Sequence, residues 1–132
     1  MIFSDIESES VARTLSNIGA RAQRAVTLET LLTRWERFVG EIERGYALTG
    51  YDYADDLNTR DLIREVIDGV MPSAREKLQQ TIQPIDDRFR QSTRDLDRPL
   101  SLGGTAHDAW WWRRAPNDLS GELALDILTD GS

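Results

Sequence analysis

The stretch TLETLLTRWERFVGEIER, residues 27–44, decides the fold because its apolar side chains recur at steps of three and four. Its apolar positions are Leu28, Leu31, Leu32, Trp35, Phe38, Val39 and Ile42. Most positions between them are charged, as on the solvent side of an amphipathic helix. Thr27 is suited to cap the first turn, and Gly45 to end the last turn in the left-handed conformation. The pattern predicts a helix over 28–44.

An N-terminal helix is predicted near 9–25. Val11, Leu15, Ile18 and Ala22 alternate at steps of four and three, as at the seam between two packed helices. This stripe is narrow and rich in alanine, so it buries too little area to fix the helix firmly within one chain. We therefore expect residues 1–26 to form a peripheral helix, or one that joins two copies of the chain in a homodimer.

Three helix starts are predicted downstream from capping boxes, in which two side chains three residues apart bond each other's backbone N–H groups. The pairs are Thr49 with Asp52, Asn58 with Asp61, and Ser73 with Glu76. They predict a short helix near 50–57, a second near 59–69, and a long helix from 73 to about 92. Pro84 should bend the long helix just before its own position, because proline lacks an N–H and clashes with the preceding turn.

The C-terminal region has a different pattern. Residues 94–105 lack a helical period and are predicted to form a loop. The next segment, AWWWRRAP (109–116), is predicted to be extended, and residues 119–128 are predicted to form a final helix. In an extended segment Trp110 and Trp112 would point away from Trp111, leaving at least one ring partly exposed. The predicted fold class is all-α, a single-domain bundle of about four to six helices over residues 1–132. The predicted core consists of Trp35, Phe38, Leu62, Val66, Ile82, Ile85 and Phe89.

Composition limits the classes of function. A chain of 132 residues, 39% hydrophobic and 30% charged, is typical of one globular domain. Its net charge of -7 repels phosphate backbones, so no nucleic-acid partner is expected. It has no cysteine, which excludes disulfides and thiolate metal sites, and no apolar run long enough to span a membrane. We expect a cytoplasmic protein with no membrane partner.

Side chains suited to catalysis are few. His107 is the only histidine in the sequence, and we interpret it as a loop residue. The acidic run from Asp52 to Asp61 contains ligands for Ca²⁺ or Mg²⁺, but its spacing differs from that of an EF-hand loop, and helix capping accounts for three of its residues. We therefore assign no catalytic residue, metal site or cofactor. The alternative is an enzyme, or an enzyme subunit, with a site of Asp and Arg residues near the Trp-rich segment.

Acidic residues are concentrated in the middle of the chain. Between Glu41 and Asp68 there are eight carboxylates but three arginines. A candidate partner-binding surface, called here the acidic face, consists of Asp52, Asp55, Asp56, Asp61, Glu65 and Asp68. Such a face would steer a basic protein toward the chain, whereas the alternative is a solvated helix face that maintains solubility. Asp61 and Glu65 lie off the apolar stripe, so lysine at both positions is expected to leave folding intact.

A second candidate surface, called here the tryptophan strip, consists of Trp110, Trp111, Trp112, Arg113 and Arg114. Tryptophan and arginine are the residue types most enriched in binding hot spots. The structural alternative is that two of the tryptophans cap the helical bundle while the arginines neutralise neighbouring carboxylates. The strip is too small to outweigh the charge of the chain and bind nucleic acid.

The strings WERFVGEIERGY (35–46), YADDLNTRDLIREV (53–66) and WWWRR (110–114) resemble a type found in short bacterial helical proteins. The small, acidic, helical and cysteine-free profile is similar to that of colicin-type immunity proteins, which neutralise basic bacterial toxins. This similarity is one of general character and assigns no individual residue. It implies a small acidic binding or inhibitory protein, immunity-protein-like or antitoxin-like, with a basic protein partner. A homodimeric adaptor or regulator is a third hypothesis.

Overall fold

The computed structural model describes residues 1–45, 49–100 and 109–118. Four α-helices run through this part of the chain: α1 (Asp5–Ala22), α2 (Leu28–Glu43), α3 (Gly50–Gly69) and α4 (Pro72–Ser92). Strands β1 (Thr93–Asp95) and β2 (Arg114–Pro116) form a small antiparallel sheet, and a 3-10 helix, Trp110–Arg113, directly precedes β2. The predicted, mostly helical fold class is confirmed, with a short sheet added. His107 and the helix predicted over 119–128 lie outside the described residues.

Helix α2 begins where its sequence predicts and ends one residue before the predicted end, with Arg44 as its C-cap. The Thr27 side chain accepts a hydrogen bond from the Thr30 backbone N–H at 3.1 Å, which caps the first turn. Gly45, just beyond the last turn, has a φ of 97°, a conformation that glycine adopts without steric cost. Local chemistry is therefore sufficient to fix both ends of this helix.

Helix α1 begins earlier than predicted, at Asp5, because Ser4 and Glu7 form a reciprocal capping box. Its Val11 and Ile18 side chains are buried in the core, at 6% and 5% exposure. Two hydrogen bonds attach it to the end of α3 and the start of α4: Thr14 Oγ1 donates to the Gly69 carbonyl, and the Met71 N–H donates to Ser10 Oγ. Val11 and Ile18 of the apolar stripe therefore pack within the chain, whereas Leu15 is half-buried and Ala22 is exposed.

Helix α3 is continuous, so the prediction of two helices meeting near residue 58 is wrong. The Thr49–Asp52 capping box is present at its start, but Asn58 lies exposed in the middle of the helix. On either side of Asn58, buried side chains follow one another at steps of four, three and three: Tyr53, Leu57, Arg60 and Ile63. Burying these side chains against one core favours a single uninterrupted helix over a second cap.

Helix α4 begins at Pro72, which occupies a first-turn position where its missing N–H has no consequence. Met71 is the capping residue and makes no side-chain hydrogen bond there, so the predicted Ser73–Glu76 capping box is wrong, although the helix begins within one residue of its predicted start. The helix continues through Pro84 without restarting. At its end, β1 pairs with β2 in the register Thr93 to Pro116, which brings the Trp-rich segment back against the bundle.

The core is aromatic at its centre. The ring of Phe38 lies 5.4 Å from those of Trp35 and Tyr53 and 5.9 Å from that of Phe89, measured between centroids. Of the predicted core, Trp35, Phe38, Val66, Ile82 and Phe89 are buried, whereas Leu62 and Ile85 are half-buried at its margin. Within the described ranges no helix has both the length and the apolar character needed to cross a membrane.

Candidate functional site

The three consecutive tryptophans lie in a 3-10 helix, so the predicted extended conformation is wrong for them and correct only for Arg114–Pro116. The backbone N–H of Trp112 donates to the Ala109 carbonyl at 3.0 Å and closes the turn. The rings therefore do not alternate between two faces. Trp111 and Trp112 are buried at 2% exposure each, and Trp110 is half-buried. As expected, one ring of the strip stays partly exposed.

Asp61 holds the tryptophan strip against α3. Its carboxylate accepts hydrogen bonds from Trp111 Nε1 at 2.8 Å and from Trp112 Nε1 at 2.9 Å. Indole nitrogens need such an acceptor when their rings are buried. Asp61 therefore has a structural role, and the expectation that lysine there would leave folding intact disagrees with this geometry.

Arg113 and Arg114 fasten the strip to β1 and the end of α4. Arg113 donates to the Asp97 carbonyl at 2.9 Å, and Arg114 donates to the Thr93 hydroxyl at 2.7 Å and to the Thr93 carbonyl at 3.0 Å. The acceptors in these bonds are backbone and hydroxyl oxygens, which differ from the carboxylates that the structural alternative named. Tyr53 adds a bond from its hydroxyl to the Arg114 carbonyl at 2.8 Å, and burial raises the pKa of Tyr53 well above its ordinary value, so this donor stays protonated.

A buried ion pair lies beneath the strip. Asp86 accepts hydrogen bonds from Arg60 Nε at 3.1 Å and Nη2 at 3.0 Å, and from Trp35 Nε1 at 3.0 Å. Both charged residues are almost inaccessible, at 5% exposure for Asp86 and 6% for Arg60. Sequence reasoning missed this pair, although Asp86 falls at helical spacing between the buried Ile82 and Phe89.

Three arginines stack on the rings of Trp110 and Trp111. The guanidinium carbon of Arg90 lies 3.9 Å from the Trp110 ring centroid, and those of Arg60 and Arg64 lie 4.4 and 5.8 Å from the Trp111 ring. The two rings meet edge to face at 5.5 Å. They border an open pocket of about 460 Å³, called here the arginine pocket. Its wall is completed by Ile67, Asp68, Gln79, Ile82, Gln83 and Asp86.

The acidic face is divided between structural and exposed carboxylates. Asp52 bonds to the Thr49 backbone N–H as a capping residue, and the Asp56 side chain is only 18% exposed. The Asp55 and Asp68 side chains are 60% and 67% exposed, and that of Glu65 is 40% exposed. These three face arginines of the same chain. Asp61 is turned toward the indoles, and Asp55 and Asp68 are the most exposed members of the face, with Glu65 exposed in part.

The acidic face and the tryptophan strip, which the sequence places about fifty residues apart, meet in the fold. Asp61 belongs to the first and touches the second, and Asp68 lines the pocket that Trp110 and Trp111 border. Across the residues described, no group of three His, Cys, Asp or Glu side chains is placed to hold a metal ion. No protein-family model, curated protein or solved structure matches the chain.

Proposed function

We propose that this chain is a small acidic binding or inhibitory protein, immunity-protein-like or antitoxin-like, which acts on a basic protein partner and not by catalysis. The observation that supports it most is the junction of the acidic face with the tryptophan strip. The exposed carboxylate of Asp68, on α3, borders a pocket flanked by a half-buried tryptophan and arginines, the residue types that dominate binding interfaces. Protein-binding surfaces commonly have charged groups at the rim and aromatic side chains near the centre, and this junction has both kinds of group.

Asp55, Glu65 and Asp68 are the carboxylates we expect to meet the partner. Their arginine neighbours, Arg34, Arg21 and Arg64, are themselves 39%, 65% and 58% exposed. Exposed ion pairs of this kind contribute roughly 0–1 kcal/mol each, so a basic group of the partner can replace the arginine at little cost. The net charge of -7 would steer such a partner from a distance.

A test compares two double variants with the same change in total charge. Glu65→Lys with Asp68→Lys alters the acidic face, and Glu29→Lys with Glu76→Lys alters exposed acids on α2 and α4. A pull-down, begun with basic proteins encoded by neighbouring genes, identifies the partner. Association rates are then measured at low and high salt. We expect the face variant to associate roughly tenfold more slowly at low salt. Its association rate should also lose most of its dependence on salt, because exposed charges act mainly on the rate at which the two proteins meet.

The matched variant should change the rate by about twofold or less, since its charges lie away from the docking surface. Equal effects of the two variants would mean that only total charge matters and that the acidic face is an ordinary solvated surface. In that case the tryptophan strip would become the preferred docking site.

The enzyme alternative requires Asp and Arg residues near the Trp-rich segment, and Asp86 and Arg60 do lie there. However, both Asp86 oxygens already accept hydrogen bonds, from Trp35 and Arg60, and the carboxylate is buried. A general base needs to reach a substrate proton, which this carboxylate is poorly placed to do. The arrangement therefore favours binding over proton transfer.

A further inference from the structure

The arginine pocket combines positive charge with a flat apolar wall. Arg60, Arg64 and Arg90 all line it, against two carboxylates, Asp68 and Asp86. Among these lining side chains positive charge therefore exceeds negative by one, in a chain whose total charge is -7, while Asp87 pairs with Arg90 at 3.6 Å from outside the lining. This surplus of one positive charge in the lining favours an anion over a cation.

Arg60 has hydrogen-bonding capacity that the protein does not use. Asp86 engages the Nε and Nη2 atoms, while Nη1 is buried and has no hydrogen-bond partner among the residues that the structure describes. A buried donor without an acceptor is unfavourable, so an oxygen brought beside it would be stabilised. Arg60 is 6% exposed and is one of the residues that line the pocket.

Arg64 and Arg90 are accessible at the edge of the pocket. Their ion pairs, with Asp68 at 3.7 Å and Asp87 at 3.6 Å, are longer than hydrogen bonds. Their side chains are 58% and 43% exposed. Both guanidinium groups can therefore turn toward an incoming anion without breaking a short ion pair, although Arg90 would have to shift from its 3.9 Å contact with the Trp110 ring.

We propose that the arginine pocket binds the carboxylate group of an acid with an aromatic or other apolar body. Asp68 and Asp86 limit the excess of positive charge, which favours a singly charged carboxylate over a doubly charged phosphate. The planar fork of a guanidinium matches a carboxylate. Ile67, Ile82 and the Trp110 and Trp111 rings provide the apolar wall, and a volume of about 460 Å³ lies within the range of small-ligand sites.

The probe is 3-phenylpropionate, titrated into the full-length protein by calorimetry and by nuclear magnetic resonance of the indole N–H groups. We expect saturable binding, with the largest shifts at Trp110 and Trp111, which line the pocket, and a smaller shift at Trp35, whose N–H contacts the pocket only through Asp86. The neutral alcohol 3-phenylpropanol and inorganic phosphate should each bind at least about tenfold more weakly, because the alcohol lacks the carboxylate and phosphate lacks the apolar body.

Arg64→Gln with Arg90→Gln removes the two accessible guanidinium groups and should weaken binding of 3-phenylpropionate at least about tenfold. Arg13→Gln with Arg37→Gln, at exposed positions on α1 and α2, is the matched control and should leave the affinity unchanged. Arg60→Lys, checked by circular dichroism for folding, keeps a charge for Asp86 but lacks the second terminal nitrogen. It should also weaken binding.

Each contrary outcome overturns the proposal. Phosphate binding as tightly as the carboxylate would indicate a phosphate site, and the alcohol binding as tightly would indicate an apolar cleft alone. No saturation by about 10 mM 3-phenylpropionate would mean that the pocket has no such ligand. The inference goes beyond the proposed function and does not depend on it, because no protein partner enters these measurements.

Discussion

At the scale of single residues, Asp61 supports the tryptophan strip through bonds from two indole nitrogens, at 2.8 and 2.9 Å. Asp61→Ala would leave both N–H groups without this acceptor while their rings remain buried. Each such donor costs roughly 1–3 kcal/mol. We therefore expect Asp61→Ala to lower the free energy of unfolding by about 2–4 kcal/mol, measured by urea denaturation.

Glu65→Ala is the matched control, four residues further along the same helix. Glu65 pairs with Arg21 at the surface, so its loss should cost less than about 1 kcal/mol. Equal losses for Asp61→Ala and Glu65→Ala would show that the indole bonds do not stabilise the fold.

Asp86 is a second residue whose carboxylate is fully engaged. Asp86→Ala would leave the Arg60 guanidinium buried without a counter-charge and the Trp35 N–H without an acceptor. Removing one member of a buried ion pair typically costs about 3–5 kcal/mol, and we expect a loss in that range from denaturant unfolding. Asp87→Ala, the adjacent position with a 51% exposed side chain, should cost less than about 1 kcal/mol. A loss at Asp86 no larger than that at Asp87 would contradict the role of the pair.

At the scale of elements, the start of α1 depends on Glu7. Its Oε1 atom accepts hydrogen bonds from Lys77 Nζ at 2.6 Å and from the Ser4 backbone N–H at 2.7 Å. These bonds, that from Lys77 above all, lower the pKa of Glu7 from its ordinary 4.5 to about 2. Because Lys77 lies on α4, the same carboxylate caps α1 and joins it to the bundle.

A folded-state pKa below the ordinary value means that ionised Glu7 stabilises the fold above about pH 4.5, and that this contribution is lost as pH falls toward 2. Glu7→Gln keeps a capping side chain but removes the charge. We expect the melting temperature of Glu7→Gln to lie below that of the wild type at neutral pH and the gap to narrow through this acid range, measured by circular dichroism. For Glu9→Gln, at an exposed position on the same helix, we expect no such narrowing. A gap for Glu7→Gln that is constant with pH would contradict this account.

At the scale of the whole molecule, the N-terminus carries exposed apolar side chains, with Met1 54%, Ile2 86% and Ile6 68% exposed. Val11 and Ile18 pack inside the chain, so the homodimer hypothesis now depends on Ile2 and Ile6. We expect the wild type to be dimeric at high micromolar concentration in light scattering, and Ile2→Glu with Ile6→Glu to be monomeric, because charge opposes burial of this patch. A monomeric wild type, or a variant with the mass of the wild type, would remove the hypothesis. These point variants are preferable to deleting residues 1–24, which would also remove Val11 and Ile18 from the core.

What the sequence determined by itself is the part of the structure that depends on neighbours three or four residues apart. The period of residues 28–43, the Thr27 cap and the glycine at 45 fix α2, and the Thr49–Asp52 box fixes the start of α3. The mostly helical class and most of the predicted core follow from the same periodicity. Each of these interactions closes within one or two helical turns, so it can be read from consecutive residues.

Only the tertiary structure decided the roles of the charged and aromatic side chains. The bonds from Trp35 to Asp86 and from Trp111 to Asp61 join residues 51 and 50 positions apart. Asp61 belonged to the predicted acidic face, and nothing near it in the sequence indicates that it meets indole nitrogens instead of water. Tertiary packing also explains why α3 continues through Asn58. Burial of the side chains before and after Asn58 outweighs the local capping pattern. The neighbouring residues of a carboxylate look the same in the sequence whether its side chain is solvated, ion-paired or capping a helix. Its hydrogen-bond partner distinguishes these cases, and that partner is brought close only when the helices pack.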